Sequence, residues 1–236
     1  MTNPGSREEI PTPREVRFER GLFRFLKDLE ANNERPWFQE NKARYEAEAR
    51  DPLLRFIGAF GGPLSRISRQ FEADPRPVGG SMFRIYRDTR FAKDKTPYKT
   101  HLAAHFPHKG CGEGVHCPGF YLHLESGASF AGGGLWHPDP NTLFKVRTAI
   151  AAKPKAWKAL RDSGLEIQGE ALKRVPQGFD SAHAWGEDLK RKDFYIGTSF
   201  TDREVLSPEF FDLVTGACRQ AAPLVAFICK AMEVAW

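Results

Sequence analysis

Six basic side chains crowd into residues 84–99: Arg84, Arg87, Arg90, Lys93, Lys95 and Lys99. Two acids, Asp88 and Asp94, stand among them, so this segment carries +4 while all 236 residues carry a formal +5. A surface that only needs to be soluble scatters its charge. A surface that holds an anion concentrates it, because several donors at one place reinforce each contact. Arginine forks match phosphate or carboxylate oxygens in pairs, and lysines add point charges. Asp88 is placed to clamp one of the arginines. His101 follows the segment and titrates near neutrality, so His101, with Asp88 and Tyr98 as helpers, is the candidate acid–base set. Trp136 comes directly after Gly132-Gly133-Gly134 and offers a flat ring as a pocket floor, or a core side chain.

The main reading is a pocket for an anionic small molecule bearing phosphate or carboxylate, with Arg84, Arg87, Arg90, Lys93, Lys95, Lys99 and Trp136 as ligand-binding residues. Catalysis is a subordinate reading. The competing readings use the same loop differently. In one, the acids neutralise neighbouring bases, which requires further acids nearby because six bases outnumber two. In the other, the loop is an exposed patch for nucleic acid or an acidic protein, with Tyr86, Phe91 and Tyr98 available to stack on bases. One short loop is a small footprint for nucleic acid. No cofactor and no metal are expected. The glycine triplet lacks phosphate-loop spacing and suits a strand against which another backbone packs closely. His105, His108, Cys111, His116, Cys117 and His123 lie close in sequence, but Cys111 and Cys117 are spaced more widely than a usual zinc knuckle. Cys218 and Cys229 read as inert core thiols.

Elements must position these residues. Leu22, Phe23, Leu26 and Leu29 mark a helix ended by Asn32-Asn33. Pro36 opens a second helix that runs to Asp51-Pro52, and Leu53–Phe60 predicts a helical piece stopping before Gly61-Gly62-Pro63. The period then changes. Met82–Tyr86, His101–Phe106, Phe120–Leu124, Ala128–Trp136 and residues 193–200 predict strands, with Ser126-Gly127 as a hairpin turn. Helical pattern returns at Asn141–Ala152 and Pro154–Asp162. Ser207 is the expected N-cap of a last helical region, which Pro223 is expected to divide. The expected fold is α+β: a central, mostly antiparallel sheet with N-terminal and C-terminal helices packed on it. Residues 1–17 are expected to be a loose tail and 18–236 a single domain.

Composition agrees with a globular chain: 41% hydrophobic, 28% charged, and rich in phenylalanine, with nineteen Phe against three Met. No membrane association is expected, since no apolar run stands out as a span and the first residues lack a secretory pattern. Four cysteines in a chain this long suit a reducing cytoplasm rather than a disulfide framework. Oligomeric state is not legible.

Four blocks also carry a resemblance: ANNERPWFQENKARYE (31–46), FRIYRDTRFAKDKTPYKTH (83–101), GFYLHLESGASFAGGGLWHPDP (119–140) and LKRVPQGFD (172–180). Together they resemble the bacterial and fungal family known as domain of unknown function 2461, over roughly residues 18–205. The resemblance implies one domain and brings no activity with it. The CGEGVHC stretch at 111–117 departs from the family pattern and reads as an insertion in a hairpin.

Overall fold

The computed structural model describes residues 16–111 and 117–236. Four strands form one antiparallel sheet in chain order: β1 (Leu102–Pro107), β2 (Gly119–Leu124), β3 (Ser129–Leu135) and β4 (Phe194–Phe200). Period-two alternation decides the two faces. Leu102, Ala104, Phe106, Phe120, Leu122, Leu124, Ala131, Leu135, Phe194 and Ile196 are buried on one face. His105, Tyr121, His123 and Phe130 are half-buried on the other.

Helices gather on the apolar face. The N-terminal set is α1 (Arg20–Ala31), α2 (Arg35–Glu40), α3 (Lys42–Arg44), a π-helical turn at Tyr45–Arg50, and α4 (Asp51–Ile67). Between β3 and β4 lie α5 (Pro140–Ala152), α6 (Pro154–Asp162) and α7 (Gly186–Leu189), and after β4 come α8 (Asp202–Val205) and α9 (Phe210–Ala231). α9 lies against β3 and β4, and α4 packs on α9 through ring contacts of Phe56 and Phe60 with Phe211. Helices on one side of an antiparallel sheet make this an α+β fold, as its sequence pattern predicts.

Several boundaries differ from expectation. The loose tail lies outside the described residues up to position 15, but Val16 is buried, and Phe18 is buried against Phe56 and Phe210. Met82–Tyr86 is not a regular strand: Met82 bridges Ala104 of β1, and Tyr86 bridges Tyr98. α4 continues through Gly61-Gly62-Pro63, with Pro63 buried in the core. α9 continues through Pro223, which faces solvent, so the carbonyl freed by the missing N–H is open to water. Ser207 does not cap α9. The capping box is made one helix earlier, by Thr201 and Glu204 on α8. α9 is also long and apolar enough to span a membrane by length and composition, contrary to the sequence expectation. Its buried Phe211, Val214, Cys218, Leu224, Val225 and Ile228 belong to the core.

Candidate functional site

The basic segment hangs from a short ladder beside the sheet. Arg87 N–H donates to the Pro97 carbonyl at 2.9 Å, and Lys99 N–H donates to the Ile85 carbonyl at 2.8 Å. Two contacts fix the base of that ladder. The Tyr98 ring stacks on Phe38 at 4.1 Å between centroids. The Asn33 amide donates to the Tyr98 carbonyl and accepts from its N–H, both at 3.0 Å. The turn between α1 and α2 therefore sets the position of Lys99, Thr100 and His101. Between that turn and the loop lies a cleft of about 430 Å³, lined by Glu30, Asn33, Arg87, Asp94, Thr96, Tyr98, Lys99, Thr100 and His101.

The six cations do not act together. Arg87 is paired with Asp94 and Thr96, and this holds the Asp94 carboxyl down at about 2. Arg90 forks onto Asp88 with bonds of 3.0 and 2.7 Å, both side chains being well exposed. Asp88 thus clamps one arginine, as expected, but away from the cleft. Lys95 donates to the Thr89 carbonyl at 2.9 Å. Arg84, Lys93 and Lys95 do not line the cleft. Among the described residues neither Lys99 nor Arg84 has a carboxylate partner within 4.0 Å. The Lys99 ammonium sits 5.2 Å from the centre of the Phe83 ring. Burial, and secondly the Arg84 charge, push its pKa down. The cleft lining sets two acids, Glu30 and Asp94, against two bases, Arg87 and Lys99; Arg87 is the one paired at close range, with Asp94, while Arg84 stands outside the lining.

His101 opens from the cleft onto the half-buried sheet face. Its ring centroid is 4.4 Å from that of His123. His123 Nε2 is 3.0 Å from Glu125 Oε2, and its Nδ1 is 3.1 Å from the Tyr121 hydroxyl. With Glu125 ionised, Nε2–H donates to the carboxylate and Nδ1 accepts from Tyr121. Phe130 stacks on the His123 ring at 4.9 Å. Burial first, and His123 next, pull His101 down to about 4, so it is neutral at physiological pH. Burial, with Glu125 adding to it, pushes the Tyr121 hydroxyl up to about 12. Tyr121 and Glu125 were not singled out from the sequence. Their signal was available as the alternation Tyr121-x-His123-x-Glu125, which puts three polar side chains on one strand face.

Other candidates fall elsewhere. Trp136 follows β3 at the end away from Phe130, about 20 Å along a strand rising ~3.4 Å per residue; it packs on Tyr195 and does not line the cleft. Tyr98 lines the cleft but is fully packed, and serves as a wedge. The glycine triplet serves packing. A Cβ on Gly133 would stand 2.7 Å from Phe120 and 3.0 Å from Val225 of α9. Cys111 and Cys117 lie beside one another, and burial first, with Cys111 next, pushes the Cys117 thiol up to about 12. His116 and the rest of 112–116 lie outside the described residues, while Cys218 and Cys229 are buried.

Searches of curated proteins and of solved structures gave no match. A family model described as a conserved hypothetical protein, DUF2461, matches residues 21–227, which takes in the α1–α2 turn, the basic loop and all four strands. The chain that folds into this helix-backed antiparallel sheet therefore belongs to the DUF2461 family.

Proposed function

We propose that the chain binds a small anionic molecule, bearing phosphate or carboxylate, at the Lys99 side of the cleft. The observation that carries this reading is the pair Lys99 and Arg84: two neighbouring cations, one half-buried, with no carboxylate partner among the described residues. An anion relieves their repulsion and repays part of the desolvation of Lys99. Thr100 and Thr96 bring hydroxyl groups to the same cleft, and His101 brings a neutral imidazole. Cys218 and Cys229 are buried thiols outside any disulfide, which suits a reducing compartment, and we assign the chain to the cytoplasm on that ground.

The test is thermal unfolding with phosphate, sulfate, citrate and nucleoside phosphates, since a ligand that binds only the folded state raises its stability. At least one of these anions raises the melting temperature, Lys99→Ala removes the shift, and Arg90→Ala keeps it. No shift with any anion, or a shift untouched by Lys99→Ala, overturns the reading.

A second reading has its own support at the loop tip. Phe91 is 95% exposed, with the Arg90 guanidinium 5.9 Å from its ring centre, an arrangement suited to stacking on a nucleic-acid base. Submicromolar RNA or DNA binding at physiological salt, lost in Phe91→Ala, would favour it over the cleft.

A further inference from the structure

We propose that His101, His123 and Glu125 form a binding site for a divalent first-row transition metal ion beside the cleft that His101 lines. The site is assembled by strand register. β1 and β2 pair Leu102 with Leu124 and Ala103 with His123. One step beyond the ladder, His101 comes opposite Glu125. Alternation puts Tyr121 and His123 on one face of β2, with Glu125 continuing the same side just past its end, and His101 joins them from the neighbouring segment.

One ligand atom from each of the three lies within 4.8 Å of the others. Metal bonds of about 2.0–2.2 Å to imidazole nitrogen and carboxylate oxygen separate adjacent ligand atoms by about 3.0–3.5 Å. His123 Nε2 and Glu125 Oε2 already stand 3.0 Å apart, so closure asks for a small adjustment of His101. Two imidazoles and one carboxylate suit zinc, cobalt, manganese, iron or nickel, whereas calcium and magnesium prefer oxygen alone. Three protein ligands leave at least one position for water or for a ligand oxygen.

The surroundings support the ligands. A metal on His123 Nε2 requires the ring hydrogen on Nδ1, and the Tyr121 oxygen, 3.1 Å away, is placed to accept it. Phe130 holds the same ring by stacking. Lys99 and Arg84 oppose a cation, and Glu125 supplies the one negative charge among the ligands, which points to moderate rather than extreme affinity. No metal was expected from the sequence, because the nearby Cys and His spacing fits a zinc knuckle poorly. The ligands instead come from β2 and from the residues that directly flank β1 and β2, and none is a cysteine. The site stands without the anion reading; where both hold, an anion oxygen takes an open metal position beside Lys99.

The experiment titrates untagged, chelator-stripped protein with Co²⁺, followed by visible absorption and thermal unfolding. One ion per chain is expected, with d–d bands and a raised melting temperature. His101→Ala and Glu125→Gln each weaken Co²⁺ binding more than about ten-fold, while Tyr121→Phe weakens it but keeps the bands. A Cys111→Ser/Cys117→Ser double variant binds as the parent does. His123 is packed, so the two outer ligands carry the test, with circular dichroism confirming their fold. Absence of saturable binding by the parent, binding unchanged in both single variants, or loss in the cysteine variant overturns the site. Phosphate stabilisation of the metal-free protein reports separately on the cleft, so either proposal can fail alone.

Discussion

Single residues carry the cleft and the packing beneath it in different ways. Arg90 and Asp88 form a forked ion pair, but both are exposed, and such pairs contribute about 0–1 kcal/mol. Lys99 is the reverse case: half-buried, its pKa lowered by burial, and without a carboxylate partner among the described residues. That contrast moves the expected anion contact from the loop tip to its base. Gly133 is decided by space alone. Its φ is not positive, but a methyl group there meets Phe120 at 2.7 Å, shorter than real contacts allow, and Val225 at a tight 3.0 Å. Gly133→Ala is therefore expected to destabilise the fold by about 1–3 kcal/mol, the usual cost of overpacking. A urea midpoint unchanged from the parent would show that α9 is freer to withdraw than its packing suggests.

At the scale of elements, the turn between α1 and α2 acts as the clamp of the basic loop. Asn33 satisfies both backbone groups of Tyr98 at once. Asn33→Ala leaves a donor and an acceptor of a packed segment without partners, and the expected loss is about 1–3 kcal/mol. It should also raise backbone hydrogen exchange at Tyr98 and Lys99 more than in β2. Equal protection in both segments would mean that the Phe38–Tyr98 stack holds the loop by itself. The helices around α4 and α9 show why local signals misjudged boundaries. Pro63 and Pro223 each remove one donor, but burial of Pro63 and solvent access at Pro223 make that loss tolerable within long packed helices.

For the whole molecule, pH acts on a sheet face that buries imidazoles. Burial lowers the pKa of His105 below its ordinary 6.5. The folded chain then binds fewer protons than the unfolded chain below pH 6.5. Its stability contribution is complete above that value and declines as pH falls toward the lowered folded pKa. The metal-free protein should therefore lose melting temperature progressively below about pH 6.5, and the His105 ring resonances should still report a neutral imidazole where a free histidine is half protonated. Resonances titrating near 6.5 would contradict the burial. Asp94 works at a lower pH. Its pairing with Arg87 is present above the unfolded carboxyl range and is lost as pH falls through about 2, so the loop is expected to keep its shape through mild acid.

The sequence by itself determined the α+β class, the four strands and most helices, because alternation and helical spacing are local records of which face meets the core. It also determined where the excess charge lies. It did not determine how that charge is spent: only the folded chain pairs Arg87 with Asp94 and Arg90 with Asp88 and leaves Lys99 and Arg84 without a carboxylate partner among the described residues. It located His101 and His123 but gave no reason to join them with Glu125, since strand pairing between β1 and β2 is a non-local choice of register. Trp136 was drawn toward the site by nearness in sequence to the glycines. The tertiary structure sends it to the far end of β3, because an extended strand carries neighbours in sequence apart at ~3.4 Å per residue.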